Sequence, residues 1–401
     1  MNRFNYIIFA FCLFLVVFTK VEASDSLTRK FIPIIGFEFK PGYTIPTDEF
    51  FKGENQAQKP INKTLSGHLK YGFKYSPDTY MGEIYPNTIQ GIGVGYNTFF
   101  NSKELGNPWS IYVFQSSKIA DIAPNLSIDY EWNFGVSFGW KKRDEIKNPY
   151  NLVVGSTANA YINIGFLLNW QMASNTNLRA GVGVTHFSNG NTSYPNSGVN
   201  TIGASIGVTK LLDKQRSHVA KSSYVAKENS KPIFNRSVNY DLIIYGATRM
   251  KGVFPEGRDP MLVPGKFAIV GMNFNPLYNF SKFFRAGLSL DFQYDESANI
   301  GSHIVNENSI SGPQDLKFYR PSFNEQFSVG LSVRAEIVMP IFSINLGVGK
   351  NFICKGDDTN SFYQTFVLKT DITKNLFLHT GYQLYKFKDP NNLMIGLGVR
   401  F

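Results

Sequence analysis

Leu-Ser-Ile-Asp-Tyr-Glu-Trp-Asn-Phe-Gly-Val-Ser-Phe-Gly-Trp, residues 126–140, is the stretch that decides the fold class. Every even position from Leu126 to Trp140 is apolar or aromatic, and every odd position between them is polar or glycine. A period of two places the first set on one face of an extended strand and the second on the other. Strands of soluble sandwiches alternate too, but their polar face looks at water and is seldom so rich in glycine. Here the small and polar set suits the inside of a narrow barrel, and the apolar set with its terminal aromatic rings suits lipid.

The pattern repeats along the chain. Ile92, Val94 and Tyr96 alternate with Gly91, Gly93, Gly95 and Asn97, and Ile162 to Trp170 alternates in the same way. So does Phe327 to Ile337. The last strand sets Ile395, Leu397, Val399 and Phe401 against Gly396, Gly398 and Arg400. An aromatic final residue on such a strand resembles the signal read by outer-membrane assembly machinery, which is therefore an expected partner. The expected fold is an all-β, antiparallel transmembrane β-barrel of about sixteen strands, eight before residue 212 and eight after residue 236. Whether these form one barrel, or an eight-stranded barrel followed by a second barrel half, the alternation leaves open. Connections are short around Met172–Thr176 and Pro340, and long at Thr44–Ser66, Lys142–Ser156 and Ser297–Pro321. Short inner turns and long outer loops give this rhythm.

Composition agrees. Charged residues make up 17% of the chain, against about a quarter in an average soluble protein. Glycine (35), phenylalanine (36) and tyrosine (21) are abundant. Residues 1–23 read as a signal peptide: Arg3, an apolar run from Tyr6 to Phe18, and a small-x-small cleavage site at Val21-Glu22-Ala23. Export argues against nucleic acid as the partner of the net charge of +10, and an anionic lipid surface fits it better. After signal removal only Cys354 remains, so the mature chain has no intramolecular disulfide. The expected organisation is a first barrel half in residues 24–212, a polar linker or loop in 213–236, and a C-terminal barrel half in 237–401. No metal-ligand cluster, phosphate loop or nucleotide fingerprint appears, and no cofactor is expected; Gly91-x-Gly93-x-Gly95 is the small face of a strand.

Chemistry concentrates in Thr185-His186-Phe187-Ser188-Asn189-Gly190 and the following Pro195-Asn196-Ser197-Gly198-Val199-Asn200. Histidine and serine two apart on a strand share a face, about 7 Å along it. A histidine that takes a serine proton creates a nucleophile for acyl transfer. Parity puts His186 and Ser188 at the end of the apolar stripe Leu178, Ala180, Val182, Val184, and Asn200 at the start of the stripe Ile202, Ala204, Ile206, Val208. Three polar groups thus end the lipid-facing stripes of neighbouring strands, on the outer-leaflet side, where polar groups are costly unless functional. None of the other histidines shows a comparable hydroxyl pattern, and His379 reads as a lumen residue.

These residues resemble the motif of the outer-membrane lipid A 3-O-deacylases (PagL-like), which is His-aromatic-Ser-Asn, a short loop, then Pro-Asn-x-Gly and an acidic residue. His186, Phe187, Ser188, Asn189, Pro195, Asn196 and Gly198 match it with the same spacing. The resemblance implies an esterase that removes an ester-linked acyl chain from lipid A in the outer membrane. Ser188 would be its nucleophile and His186 its general base. Asn189, Asn196 and the backbone amides of the Gly190 loop become oxyanion or substrate-binding candidates. Asn200 stands where the family carries its acid, and an amide carbonyl can still orient an imidazole. The rival reading is a non-enzymatic porin or transport channel. Arg179–Val184 is echoed by Arg285–Leu290, as a duplicated hairpin or as two strands under like constraints; Phe292 and Tyr294 replace the histidine and serine there, so the second half should be catalytically silent.

Overall fold

A computed structural model describes residues 30–212, 234, 236–253, 261–305, 316–387 and 389–401. The signal segment and most of the expected linker lie outside these residues. Eight strands run β1 Phe31–Ile45, β2 Lys63–Tyr75, β3 Ile89–Thr98, β4 Gly106–Ala123, β5 Leu126–Trp140, β6 Ala158–Ala173, β7 Thr176–Ser188 and β8 Val199–Leu211. Each pairs antiparallel with its neighbour, and β1 pairs with β8 from Ile34↔Leu211 to Ile45↔Asn200, closing a barrel. A second set follows: β9 Val238–Arg249, the two-residue pair β10 Gly252–Val253 and β11 Met261–Leu262, β12 Phe267–Asn279, β13 Phe284–Asp295, β14 Phe327–Val338, β15 Phe342–Ile353, β16 Phe362–Asp371, β17 Leu376–Tyr385 and β18 Asp389–Arg400. In this set β18 pairs with β9, closing a second eight-stranded barrel. The sixteen expected barrel strands are present, and they close as two barrels of eight.

Eight strands leave a lumen just wide enough for side chains to fill. In the first barrel Lys70 pairs with Glu38 at 2.5 Å and with Glu131, and Arg179 pairs with Glu131 at 2.9 Å. In the second, Lys369 bridges Asp241 at 2.8 Å and Glu336 at 2.5 Å, and Arg334 meets Asp291 at 2.8 Å. Charges buried this deeply persist only as satisfied networks. His379 lies in the second lumen, stacked on Tyr245, as its strand parity predicts. The echoed arginines Arg179 and Arg285 are both buried, but they stand on the seventh strand of one barrel and the third of the other. Their likeness reflects a shared lumen constraint.

The outer half of the first lumen is aromatic. Phe50 and Phe51 descend from a short helix, Glu49–Lys52, that Asp48 caps through the Phe50 N–H. They cluster with Phe99, Trp140, Tyr161, Phe187 and Val199. The Phe187 ring lies 5.0 Å from Trp140 and 5.4 Å from Tyr161. This packing fixes the register of the end of β7, because a one-residue slip would carry Phe187 into lipid.

Candidate active site

With Phe187 locked inward, its neighbours must point out. Exposure along β7 shows the alternation: Val182 is 61% and Val184 50% exposed, whereas Arg179 and Phe187 are 6% and 3% exposed. His186 and Ser188 share the outward parity of the valines, and Thr185 lines the lumen with Phe187. On β8, Ile202, Ile206 and Val208 face out while Thr201 and Ser205 are buried. Asn200 is the direct cross-strand partner of His186.

That pairing brings His186 Nδ1 to 2.6 Å from Asn200 Oδ1. A carbonyl oxygen accepts, so Nδ1 carries the proton and Nε2 is left as the basic nitrogen. Gly198 makes room for the ring. Its φ of +72° suits glycine, and a Cβ there would come within 3.2 Å of His186 Cε1.

Ser188 ends β7 where the β7–β8 loop begins. Its Oγ donates to Asn196 Oδ1 at 3.1 Å and accepts from Gly190 N–H at 3.1 Å. Among the described residues no hydrogen bond joins Ser188 to His186. The serine hydroxyl is turned to the loop. Catalytic hydrogen bonds often tighten only when substrate is bound.

The loop candidates divide. Asn196 is at the serine, accepting from both Ser188 Oγ and Asn189 N–H (3.0 Å). The Asn189 side chain is 5% exposed and is used within the loop, donating to Ser193 O at 2.9 Å and Pro195 O at 3.4 Å. Asn189 therefore reaches the site only through its backbone N–H, which holds Asn196 in place, and its side chain shapes the turn. Thr47 Oγ1 donates to Gly198 O at 3.0 Å, tying the loop's far end to the β1–β2 connection.

One expectation needs correcting. His68 does have hydroxyl neighbours: its Nε2 is 2.9 Å from Ser66 Oγ and its Nδ1 3.1 Å from Tyr112 OH. Ser66-Gly67-His68 carries the same two-residue spacing as the outer motif. Here the serine precedes the histidine. At 1% exposure inside the lumen, His68 is part of the barrel's buried polar filling.

The fold is that of an outer-membrane β-barrel, with a polar cluster on its lipid-facing wall. The family model described as lipid A 3-O-deacylase (PagL) matches residues 56–209, and that described as acyloxyacyl hydrolase, C-terminal domain, matches residues 238–401. The chain belongs to the PagL family of outer-membrane lipid A deacylases, which are carboxylic ester hydrolases. The solved structure of the outer membrane enzyme PagL is similar at 18% identity and a TM-score of 0.30, covering 43% of this chain and 97% of that one. CdiB from Acinetobacter baumannii is similar at 11% identity and a TM-score of 0.20, covering 94% of this chain and 60% of that one. A search of curated proteins finds no match.

Proposed function

We propose that the first barrel hydrolyses an ester-linked acyl chain of lipid A in the outer leaflet, with Ser188 as nucleophile, His186 as general base and Asn200 as the group that orients the imidazole. The observation that carries this reading is the 2.6 Å contact of His186 Nδ1 with Asn200 Oδ1 on the lipid-facing wall, with Ser188 on the same face. An imidazole held through Nδ1 presents Nε2 as base.

Ser188 Oγ attacks the acyl carbonyl carbon while its proton passes to His186 Nε2. The negative charge on the carbonyl oxygen falls beside the backbone N–H of Gly190, which already points at Ser188 Oγ. Collapse of the tetrahedral intermediate breaks the ester C–O bond, and His186 returns the proton to the departing sugar hydroxyl. Water, deprotonated by His186, then attacks the acyl-serine and releases the fatty acid. The exposed stripe of Val182, Val184, Ile202 and Ile206 beneath the site gives the acyl chain an apolar track without entry into the lumen.

Mass spectrometry of lipid A from cells with and without the chain tests the reading. Loss of one acyl chain that depends on the wild-type protein supports it. Equal deacylation by a folded Ser188→Ala variant sinks it.

A further inference from the structure

The chemistry proposed above uses one barrel, yet the chain carries two. The two barrels are docked, and the first carries polar groups that only docking explains. Gln90 and Gln115 are register partners with the outward parity of lipid-facing residues, yet both are 1% exposed. Gln90 donates to Gln115 at 2.7 Å, and Gln115 donates to Tyr130 OH at 3.0 Å and meets Met339 Sδ of the second barrel at 2.8 Å. Beside them Trp132 packs edge-on against Phe342 at 4.9 Å. Two amides facing hydrocarbon would each cost several kcal/mol, so their burial between barrels marks a built seam.

At its outer end the seam reaches the catalytic loop. Met250, just past β9, donates its backbone N–H to Asn191 O at 3.1 Å. Tyr194 N–H points at Met250 Sδ at 3.1 Å, and Lys266 Nζ reaches Ser193 Oγ at 3.4 Å. Leu393 of β18 lies so close over Gly190 that a Cβ there would come within 2.6 Å of its side-chain carbons. Leu393 of β18, Met250 just after β9 and Lys266 just before β12 thus press on the segment Gly190–Tyr194, directly after Ser188. The first barrel holds the other end of this loop, through Thr47 on Gly198.

We infer that the second barrel is a positioning element of the active site: its Leu393 and Met250 hold the β7–β8 loop so that Gly190 N–H and Asn196 stay aimed at Ser188. They are positioning residues and touch no reacting atom. The inference rests on Ser188 being the nucleophile. A loop let loose by about 1 Å loses oxyanion alignment, which costs up to about 10²-fold in turnover, while the acyl track on the first barrel is untouched.

The test compares full-length wild type with Leu393→Ala, Leu393→Met and Met250→Ala, each checked for heat-modifiable gel mobility, on a soluble short-chain ester and on lipid A. The expected result is a fall in kcat of at least about 10-fold for Leu393→Ala and a smaller fall for Met250→Ala on both substrates, with KM within about twofold of wild type and recovery in Leu393→Met. Hydrogen exchange at the Gly190 amide should rise in the same two alanine variants. Unchanged kcat and unchanged exchange in folded Leu393→Ala and Met250→Ala, while Ser188→Ala is inactive, would overturn the positioning role and leave the hydrolase reading standing. Should Leu393→Ala fail to fold, Met250→Ala decides alone. A wild type without activity on either substrate would remove both readings.

Discussion

Asn200→Ala isolates the one contact on which the orientation of His186 depends. The perturbation removes the Oδ1 acceptor 2.6 Å from His186 Nδ1 and leaves the β7–β8 ladder intact, since the His186↔Asn200 pairing is a backbone register. A half-buried neutral hydrogen bond contributes about 0.5–1.5 kcal/mol. Freeing the ring to adopt the other tautomer and to rotate adds a comparable loss, so the total is about 1–3 kcal/mol, or roughly 5- to 150-fold in kcat. His186→Ala removes the base itself and should cost at least about 10³-fold. Asn200→Asp supplies an acceptor that stabilises the imidazolium formed in the transition state, and should match or exceed wild type by up to about 10-fold. The assay is initial-rate release of fatty acid from lipid A in detergent, with gel mobility as the folding control. If folded Asn200→Ala is as inactive as His186→Ala, or if the aspartate is as damaging as the alanine, then Asn200 does not hold the imidazole and the reasoning fails.

Three further outcomes follow from the structure. A cysteine at position 188, with Cys354 replaced, should react with lipid-soluble maleimides and resist charged ones that label a cysteine at Ile146, which is 90% exposed; free labelling of position 188 by charged reagents would place the site away from lipid. Lys369→Ala removes the cation bridging Asp241 and Glu336 in the second lumen and leaves Arg400 and Arg285 as their partners, so it should cost about 1.5–3 kcal/mol of stability, read as a lower temperature of loss of the folded gel band; no change would mean the lysine is dispensable to the network. Asp358, in the outer connection after β15, is partly buried, which raises its carboxyl, but Lys251 at 2.5 Å and the Asn299 N–H at 2.8 Å outweigh this and hold it below its ordinary value of 3.8. Its contribution should therefore be complete above that value and disappear as pH falls through the lower folded value, so the advantage of wild type over Asp358→Asn in resisting loop proteolysis should be full at neutral pH and shrink as pH is lowered below 3.8; an advantage that grows on acidification would refute the sign.

What was legible in the sequence is what a period of two encodes. The stretch Leu126–Trp140 begins and ends where β5 does, and parity along β7 separates Thr185 and Phe187 from His186 and Ser188. What alternation cannot encode is which strands meet at closure. That β8 turns back to β1 depends on hydrogen-bonding edges that every strand offers alike. The pairing of His186 with Asn200 was within reach, because a short loop between two strands sets their register. The turn of Ser188 towards Asn196, and the use of the Asn189 amide within the loop, depend on the fold of residues 189–198 and are invisible to spacing. The seam between the barrels did leave a trace in the sequence, as two glutamines of lipid-facing parity, Gln90 and Gln115, whose meaning required the partner surface.

The proposed chemistry stands or falls on Ser188 acting as a nucleophile driven by His186 on the lipid-facing wall. Its most direct test is covalent capture: purified protein in detergent is treated with a long-chain alkyl fluorophosphonate, digested, and mapped by mass spectrometry. One adduct is expected, on Ser188, formed at least about 10³-fold more slowly in His186→Ala and absent in Ser188→Ala. An active protein that carries the adduct on another residue, or that labels Ser188 equally well without His186, would contradict it.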